Sequence, residues 1–353
     1  MKFALKKIIL TSQICLMSLF WVACQKDFST NADSQSFPIV YALFNFTEED
    51  SNQQYIKIYK SYLSDNAYDG ARQLQNYSYI DSIEVSVEEY NERNTLVRTI
   101  KFDTTTSIPK DSGIFAYPTQ ILYTAPLKCN PKYKYKLKVF NPYTNIMAEG
   151  TTMVPGEISL SQPHRAINPP ILVAITENTF NVAFTTTDNA VAYQVVAKYY
   201  YSEVYNDNSV KHCQPITWDI GTATTNEARI LYKLSTSTGN GFYKAIANGI
   251  TDNDNVIRRY TDSIVFEVQA AAADWYKYLL ATQPISSINQ ERIAYTNMKA
   301  YNTQTKEESA VLGFVSARSI SRVRFDDLQI ASGSRDSLFH GRFTGHLKFS
   351  DIH

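Results

Sequence analysis

Histidine is scarce in this chain. The five residues His164, His212, His340, His346 and His353 include no pair at metal-ligand spacing and no His-Glu-x-x-His helix. No Gly-x-Ser-x-Gly elbow is present. With 12 glycines in 353 residues there is no glycine-rich loop to cradle a phosphate. Charged residues make up 19%, below the usual quarter or so. Outside the first two dozen residues no apolar run approaches the roughly 20 needed to span a bilayer. These absences remove the metalloprotease, serine-hydrolase and nucleotide-binding signatures. Two carboxylates meeting in space to cleave a glycoside leave no such signature, so a hydrolase stays open as an alternative.

The amino terminus is patterned. Lys2, Lys6 and Lys7 precede an apolar stretch from Ile8 to Val22, broken by Thr11, Ser12 and Gln13, which ends in Trp21-Val22-Ala23-Cys24. Cationic, apolar and small-residue zones in that order describe a secretory signal over residues 1–23. Its end resembles the bacterial lipoprotein box, although Trp21 stands where Leu is usual. That resemblance implies lipidation of Cys24, which would become the first mature residue, and two or three acyl chains hold a protein stably to a membrane. An ordinary secreted chain with a spare thiol at position 24 is the alternative. Gln25, Lys26 and Asp27 resemble a short surface-export signal; a plain hydrophilic tether is the other reading. Residues 24–36, rich in Ser, Asn, Asp and Gln, read as a flexible tether.

Removing residues 1–23 leaves 330, enough for two ordinary domains. It takes three of the 34 basic residues and no acidic one, so 31 face 34 acidic and the balance is −3. A near-neutral chain is a poor match for nucleic acid held by phosphate contacts. Of four cysteines, Cys15 leaves with the signal and Cys24 carries lipid; Cys129 and Cys213 remain, in a compartment that permits disulfides. They read as either one bridge or two separately buried thiols. No cofactor is expected beyond the covalent lipid.

The body of the chain reads as mainly β. Ile39 to Phe44 is apolar throughout and reads as a buried strand. Tyr55–Lys60, Ile83–Glu88, Leu96–Phe102 and Tyr133–Val139 alternate with period 2, Met147 to Val154 closes the series, and residues 37–155 are expected to form an antiparallel sandwich of the immunoglobulin or fibronectin-III kind. Residues 156–170, holding Pro163, Pro169 and Pro170, read as a linker. Residues 171–330 are expected to form a second β-sandwich, with strands at Thr179–Phe184, Ala192–Tyr199, Ala228–Leu234, Ile264–Val268 and Leu312–Ala317. Short helices are expected at Phe242–Asn248 and Asp274–Leu280, where Trp275, Tyr278 and Leu279 share a face. Residues 331–353 read as a surface extension. Thr251 to Asn255 starts like a calcium loop but lacks its Gly and distal Glu, so it reads as a turn. Tyr199, Tyr200 and Tyr201 put rings on both faces of one strand, and are either candidate binding aromatics or core and cross-strand packing. His212 beside Cys213 reads as a neighbour pair in a strand or loop.

Four separated segments together resemble the Bacteroidetes lipoprotein family called domain of unknown function 4249. They are Ile39–Leu43 with Tyr55–Tyr62; Tyr133–Val139 through Asn141-Pro142 to Ala148–Pro155; Trp275–Leu279; and Tyr295-Thr296-Asn297 leading to Leu312–Ala317. Asn145 stands where the family usually has Gly, and Asn also tolerates a left-handed turn. The resemblance implies a lipid-anchored, β-rich outer-membrane protein, often associated with TonB-dependent transporters, and brings no catalytic residues with it. The expected function is a non-catalytic accessory at the outer membrane or cell surface that docks on a β-barrel partner. Glycan capture and a fimbrial or adhesin subunit are the alternatives, the latter requiring a donor strand that only residues 331–353 could supply.

Overall fold

The computed structural model describes residues 36–47, 52–62, 66–80, 83–113, 115–163, 173–236, 238–282 and 295–351. The expected signal, the lipidation site Cys24, the export residues Gln25, Lys26 and Asp27, and residues 164–170 of the expected linker lie outside the described residues.

The chain is mainly β, as its alternation indicates. Strands β1 (Pro38–Thr47), β2 (Gln53–Lys60), β3 (Glu84–Tyr90), β4 (Leu96–Thr105), β5 (Leu122–Pro126), β6 (Lys134–Asn141) and β7 (Ile146–Met153) build a first sandwich. Helices α1 (Ala67–Ala71) and α2 (Leu74–Tyr77) interrupt them between β2 and β3. One layer runs β1-β2-β5 and the other β4-β3-β6-β7. β4 belongs to both: Leu96–Phe102 pairs with β3, while Asp103–Thr105 pairs with β5, so the strand turns the corner between layers. Val40, Ala42, Phe44, Ile56 and Ile58 meet Val85, Val87, Tyr135, Leu137 and Val139 in the core between them. In β6 the apolar set faces that core and Lys134, Lys136 and Lys138 face out, as period 2 requires.

The second unit has β8 (Ser159–Gln162), β9 (Asn181–Thr185) and β13 (Leu231–Ser235) in one layer. The other holds β10 (Ala192–Tyr205), β11 (Val210–His212), β12 (Ile216–Thr224) and β14 (Val256–Ala271). Helix α3 (Asn240–Gly249) closes its core with Phe242, Tyr243 and Ile246. Helix α4 (Ala273–Thr282) follows β14 and buries none of its residues fully. The expected linker is not one throughout, because β8 lies inside it and pairs with β9.

The last third of the chain departs from a linear two-domain order. β15 (Lys299–Asn302) pairs with β7, and β16 (Glu308–Ser309) pairs with β15, so both extend the first sandwich. β17 (Leu312–Asp326) then serves both units. Leu312–Ile320 runs parallel to β1, and Arg318–Asp326 runs antiparallel to β14. Its odd-numbered side chains face the cores: Val315 and Ala317 enter the first, Val323 and Phe325 the second. Leu312–Ala317, expected in the second domain, is therefore core strand of the first. Residues 331–353 are likewise no surface extension as far as the described residues run. Helix α5 (Ser332–His340) and the 3-10 turn at Gly345–Leu347 bring Leu338, Leu347 and Phe349 into the second core. The segment packs into its own chain because Arg259 binds the Leu347 carbonyl (2.8 Å) and Ser334 exchanges hydrogen bonds with the Ile175 backbone (2.7 and 3.1 Å).

Candidate functional site

The face of a sandwich that points away from its core is normally polar. In the first unit that expectation fails along one row. Tyr41 of β1 stands between Lys57 of β2 and Phe314 of β17 in register. Its ring lies 5.9 Å from Phe314 and 6.3 Å from Tyr59. The row continues from Tyr59 to Phe115, stacked at 6.1 Å, and to Tyr77 at 5.5 Å. At the other end Phe314 meets Tyr278 (4.4 Å) and Trp275 (5.2 Å) of α4. The helix is pinned there because the Trp275 backbone N–H donates to Ser316 Oγ at 2.9 Å and Tyr295 donates to Asp274 at 2.6 Å. Burial, joined by the neighbouring Tyr278 and Tyr59, raises the Tyr41 phenol above its ordinary value. Burial lowers the Lys57 ammonium, which donates to Gln120 (2.8 Å) and lies 5.1 Å from the centre of the Tyr59 ring.

Helix α4 stands proud of the sheet with a depression on each flank. On the first-unit side a hollow of about 300 Å³ is lined by Tyr41, Leu43, Tyr55, Lys57, Leu122, Trp275, Tyr278 and Phe314. On the second-unit side a groove of about 540 Å³ runs between the helix and the ends of β10, β12 and β14. Trp275, Tyr276, Leu279 and Leu280 form its apolar wall; Gln194, Gln269, Thr222, Thr224 and Arg318 supply the polar one. That size and mixture suit a bound side-chain cluster or a small molecule. Arg318 donates to Asn45 Oδ1 but has no carboxylate partner among the described residues, and burial lowers it from its ordinary value. One step further along the sheet the nearest acid, Glu267, is already held by Lys198 (3.0 Å) and Arg322 (2.7 Å). Glu267 acts on Arg318 only through its charge, without an ion pair, so the guanidinium keeps donor capacity of the kind that suits a carboxylate.

The residues singled out from sequence fall elsewhere. Tyr199 and Tyr201 are buried in the second core, stacked at 6.0 Å, and offer no binding face. Only Tyr200 points outward, and it is half-buried. Cys129 and Cys213 are free thiols in different cores, so the disulfide alternative is corrected. Burial pushes the Cys129 thiol up to about 12 and also raises that of Cys213. The rings that do face out were legible in part: Ile39–Phe44 is apolar on both faces, and a sandwich strand with one wet face should not be.

His212 comes together with Ser202 and Asp262. Ser202 Oγ lies 2.8 Å from both His212 Nδ1 and Asp262 Oδ2, and the latter two are 3.7 Å apart. A hydrolytic triad sets the imidazole between hydroxyl and carboxylate, using both ring nitrogens. Here the hydroxyl sits in the middle and gives its proton to the carboxylate, and Ser202 is buried. The arrangement ties β10, β11 and β14 together and activates no nucleophile. Asp252 and Asn253 spend side-chain oxygens on the backbone N–H groups of Asn253 and Asn255, as a turn does. Among the described residues no three His, Cys, Asp or Glu gather as for a metal ion, and no helix is long and apolar enough to cross a membrane.

No family model matches the chain, and no curated protein matches it. Among solved structures, the C-terminal globular domain of an oligosaccharyltransferase from Pyrococcus abyssi is similar over 64% of this chain and 42% of its own, at 13% identity and a TM-score of 0.25. Escherichia coli alpha-2-macroglobulin activated by porcine elastase is similar over 79% of this chain and 20% of its own, at 7% identity and a TM-score of 0.18. The chain thus spans less than half the length of either. Its fold class rests on the strand pairing and core packing described above.

Proposed function

We propose that this protein is a lipid-anchored, non-catalytic accessory of the outer membrane, exposed at the cell surface, that docks on a β-barrel partner of the TonB-dependent transporter kind. The anchor and compartment draw on the Lys-rich start, the apolar stretch and Ala23-Cys24; the partner class draws on the resemblance carried by the four strand and helix segments. The observation that supports docking most is the groove beside α4, whose apolar wall ends at Arg318, a guanidinium that forms no ion pair among the described residues. Aromatic residues and Arg are enriched at the centres of protein interfaces. An acidic side chain flanked by apolar ones on the partner would complement both walls.

Purification of the native protein in mild detergent tests this reading. A β-barrel protein is expected to accompany the wild type and to be lost, or retained at least tenfold less, with Trp275→Ala plus Arg318→Ala. Native protein that elutes without any barrel partner would count against it.

A second reading, glycan capture, draws on the outward rings of the first unit, since sugars stack on aromatic faces. It expects array binding that disappears with Tyr55→Ala and persists with Arg318→Ala.

A further inference from the structure

The end of the first sandwich at which the chain enters β1 is unusually apolar at its surface. The chain is fixed there by reciprocal hydrogen bonds: Ser61 N–H to the Phe37 carbonyl (2.9 Å) and Phe37 N–H to Ser61 Oγ (2.8 Å). Around this point lie the loop between β4 and β5, helix α1 and the β6–β7 turn. The Ala116 N–H donates to the Ala71 carbonyl (3.0 Å), tying the 115–118 loop to α1. Thr144 of the turn and Ser36 and Pro38 of the incoming chain line one small cavity. Tyr143, Tyr117, Ile80, Tyr68 and Phe115 are 78%, 60%, 53%, 51% and 40% exposed. Two of these rings carry a cation on their face, Arg72 over Tyr68 at 4.4 Å and Lys110 over Phe115 at 5.4 Å. Exposed apolar side chains gathered at one end mark an interaction surface. Tyrosines beside long cationic side chains are the composition that sits at a membrane–water boundary, ring in the apolar layer and charge at the headgroups.

Covalent geometry says which surface this end can meet. Cys24 and Ser36 are twelve residues apart in sequence, and twelve residues reach at most about 40 Å. A ten-residue strand such as β1 is itself about 33 Å long. A chain held at Cys24 therefore meets the bilayer at the beginning of β1 with a slack tether, whereas its far end could do so only with those twelve residues drawn out to most of their full length, at a cost in chain entropy.

We propose that the end of the first sandwich bearing Tyr68, Ile80, Phe115, Tyr117 and Tyr143 seats on the lipid surface, so that the acyl anchor and a protein-borne aromatic collar hold the molecule together. This rests on the lipid-anchor reading above. Acidic side chains share this end, Asp69 and Asp111 among them, so the seat works by ring insertion and not by attraction to anionic lipid. It orients the molecule with its first sandwich against the membrane, leaving α4 and its groove to one side.

The test uses the native acylated protein carrying Cys213→Ser, with a single fluorophore at Tyr117→Cys, Tyr143→Cys or, in the second unit, Leu231→Cys, an exposed reference position. Each is reconstituted into phosphatidylethanolamine–phosphatidylglycerol vesicles containing lipid spin-labelled near the headgroup, and Cys24 acylation is read by intact mass. The expected result is loss of most of the fluorescence at 117 and 143 and none at 231, little changed when phosphatidylcholine replaces phosphatidylglycerol. Acylated, vesicle-bound protein with no quenching at 117 and 143 overturns the seat and leaves the anchor standing. Protein without acyl chains that fails to float with vesicles overturns both. Protection of these positions in whole cells but not in protein-free vesicles assigns the collar to a protein and overturns its lipid assignment.

Discussion

Arg259 holds a full charge at zero exposure, and its surroundings answer it unevenly. Glu203 accepts from Nε at 2.9 Å, the Leu347 carbonyl from Nη1 at 2.8 Å, and Nη2 has no partner among the described residues. Removing one member of a buried pair strands the other, at a cost of about 3–5 kcal/mol. Urea denaturation of Arg259→Met is expected to show a loss of that order, with part of it recovered in Arg259→Met plus Glu203→Gln. A single mutant within about 1 kcal/mol of wild type would contradict this account. Carboxyls held by cationic side chains make a related prediction. Burial alone would raise Glu267, but hydrogen bonds from Arg322 and Lys198 outweigh it and hold the carboxyl below its ordinary 4.5; Glu203 and Glu88 are lowered in the same sense. A carboxyl held below its unfolded-state value stabilises the fold above that value and gives up the contribution as pH falls through the folded one. Stability should therefore decline on acidification below about pH 4.5, and Glu267→Gln should flatten that decline while lowering stability at pH 7. The two thiols should separate under a labelling reagent at pH 8: Cys213 reacts in the native protein, whereas Cys129 waits for unfolding. Neither thiol reacting in unfolded, unreduced protein would instead reveal a bridge. Sequence alone left that pair open, because spacing along the chain carries no distance in space.

Gly313 sets the closest approach in the sheet. Its φ is +92°, and a Cβ there would lie 1.8 Å from the Val40 carbonyl oxygen. Gly313→Ala should destabilise the protein by at least about 2 kcal/mol, since both the backbone conformation and the contact oppose a side chain. A melting temperature within a degree of wild type would contradict the β1–β17 register. Elements with one wet face were legible: β3, β6 and α4 sit where alternation and the i, i+3, i+4 spacing put them. Asn145 does take a left-handed turn, at φ 57°. Others were hidden for physical reasons. β17 continues to Asp326, past the expected end at Ala317, because Arg318, Arg322 and Arg324 face outward and mask the strand with charge. The closing segment was unreadable because its buried positions follow no period and include the polar Ser334 and Thr344. The outward aromatic row was the least legible of all, since a ring on a strand looks the same in sequence whichever layer it faces.

At the scale of the molecule, β17 makes the two sandwiches one folding unit. Residues 37–155 supply β1–β7 but lack β15 and β17, whose Ala300, Val315 and Ala317 complete the first core. That fragment expressed alone should be unfolded or aggregated, and the full chain should melt in one calorimetric transition with matching van't Hoff and calorimetric enthalpies. Two separated transitions would show that each sandwich stands alone. The linear domain order expected from composition failed here because a strand can leave its neighbours in sequence and return to the start of the chain.

The same pairing has a mechanical meaning. Force applied through an amino-terminal anchor enters the fold along β1, which is bonded in parallel to β17 over nine registered residue pairs from Ile39–Leu312 to Thr47–Ile320. Tension along paired strands loads those bonds in shear, all at once, where a hairpin pulled from its open end would peel bond by bond. The first strand of the fold is thus one built to hold under load, as the proposed anchoring at one point and docking at another would require.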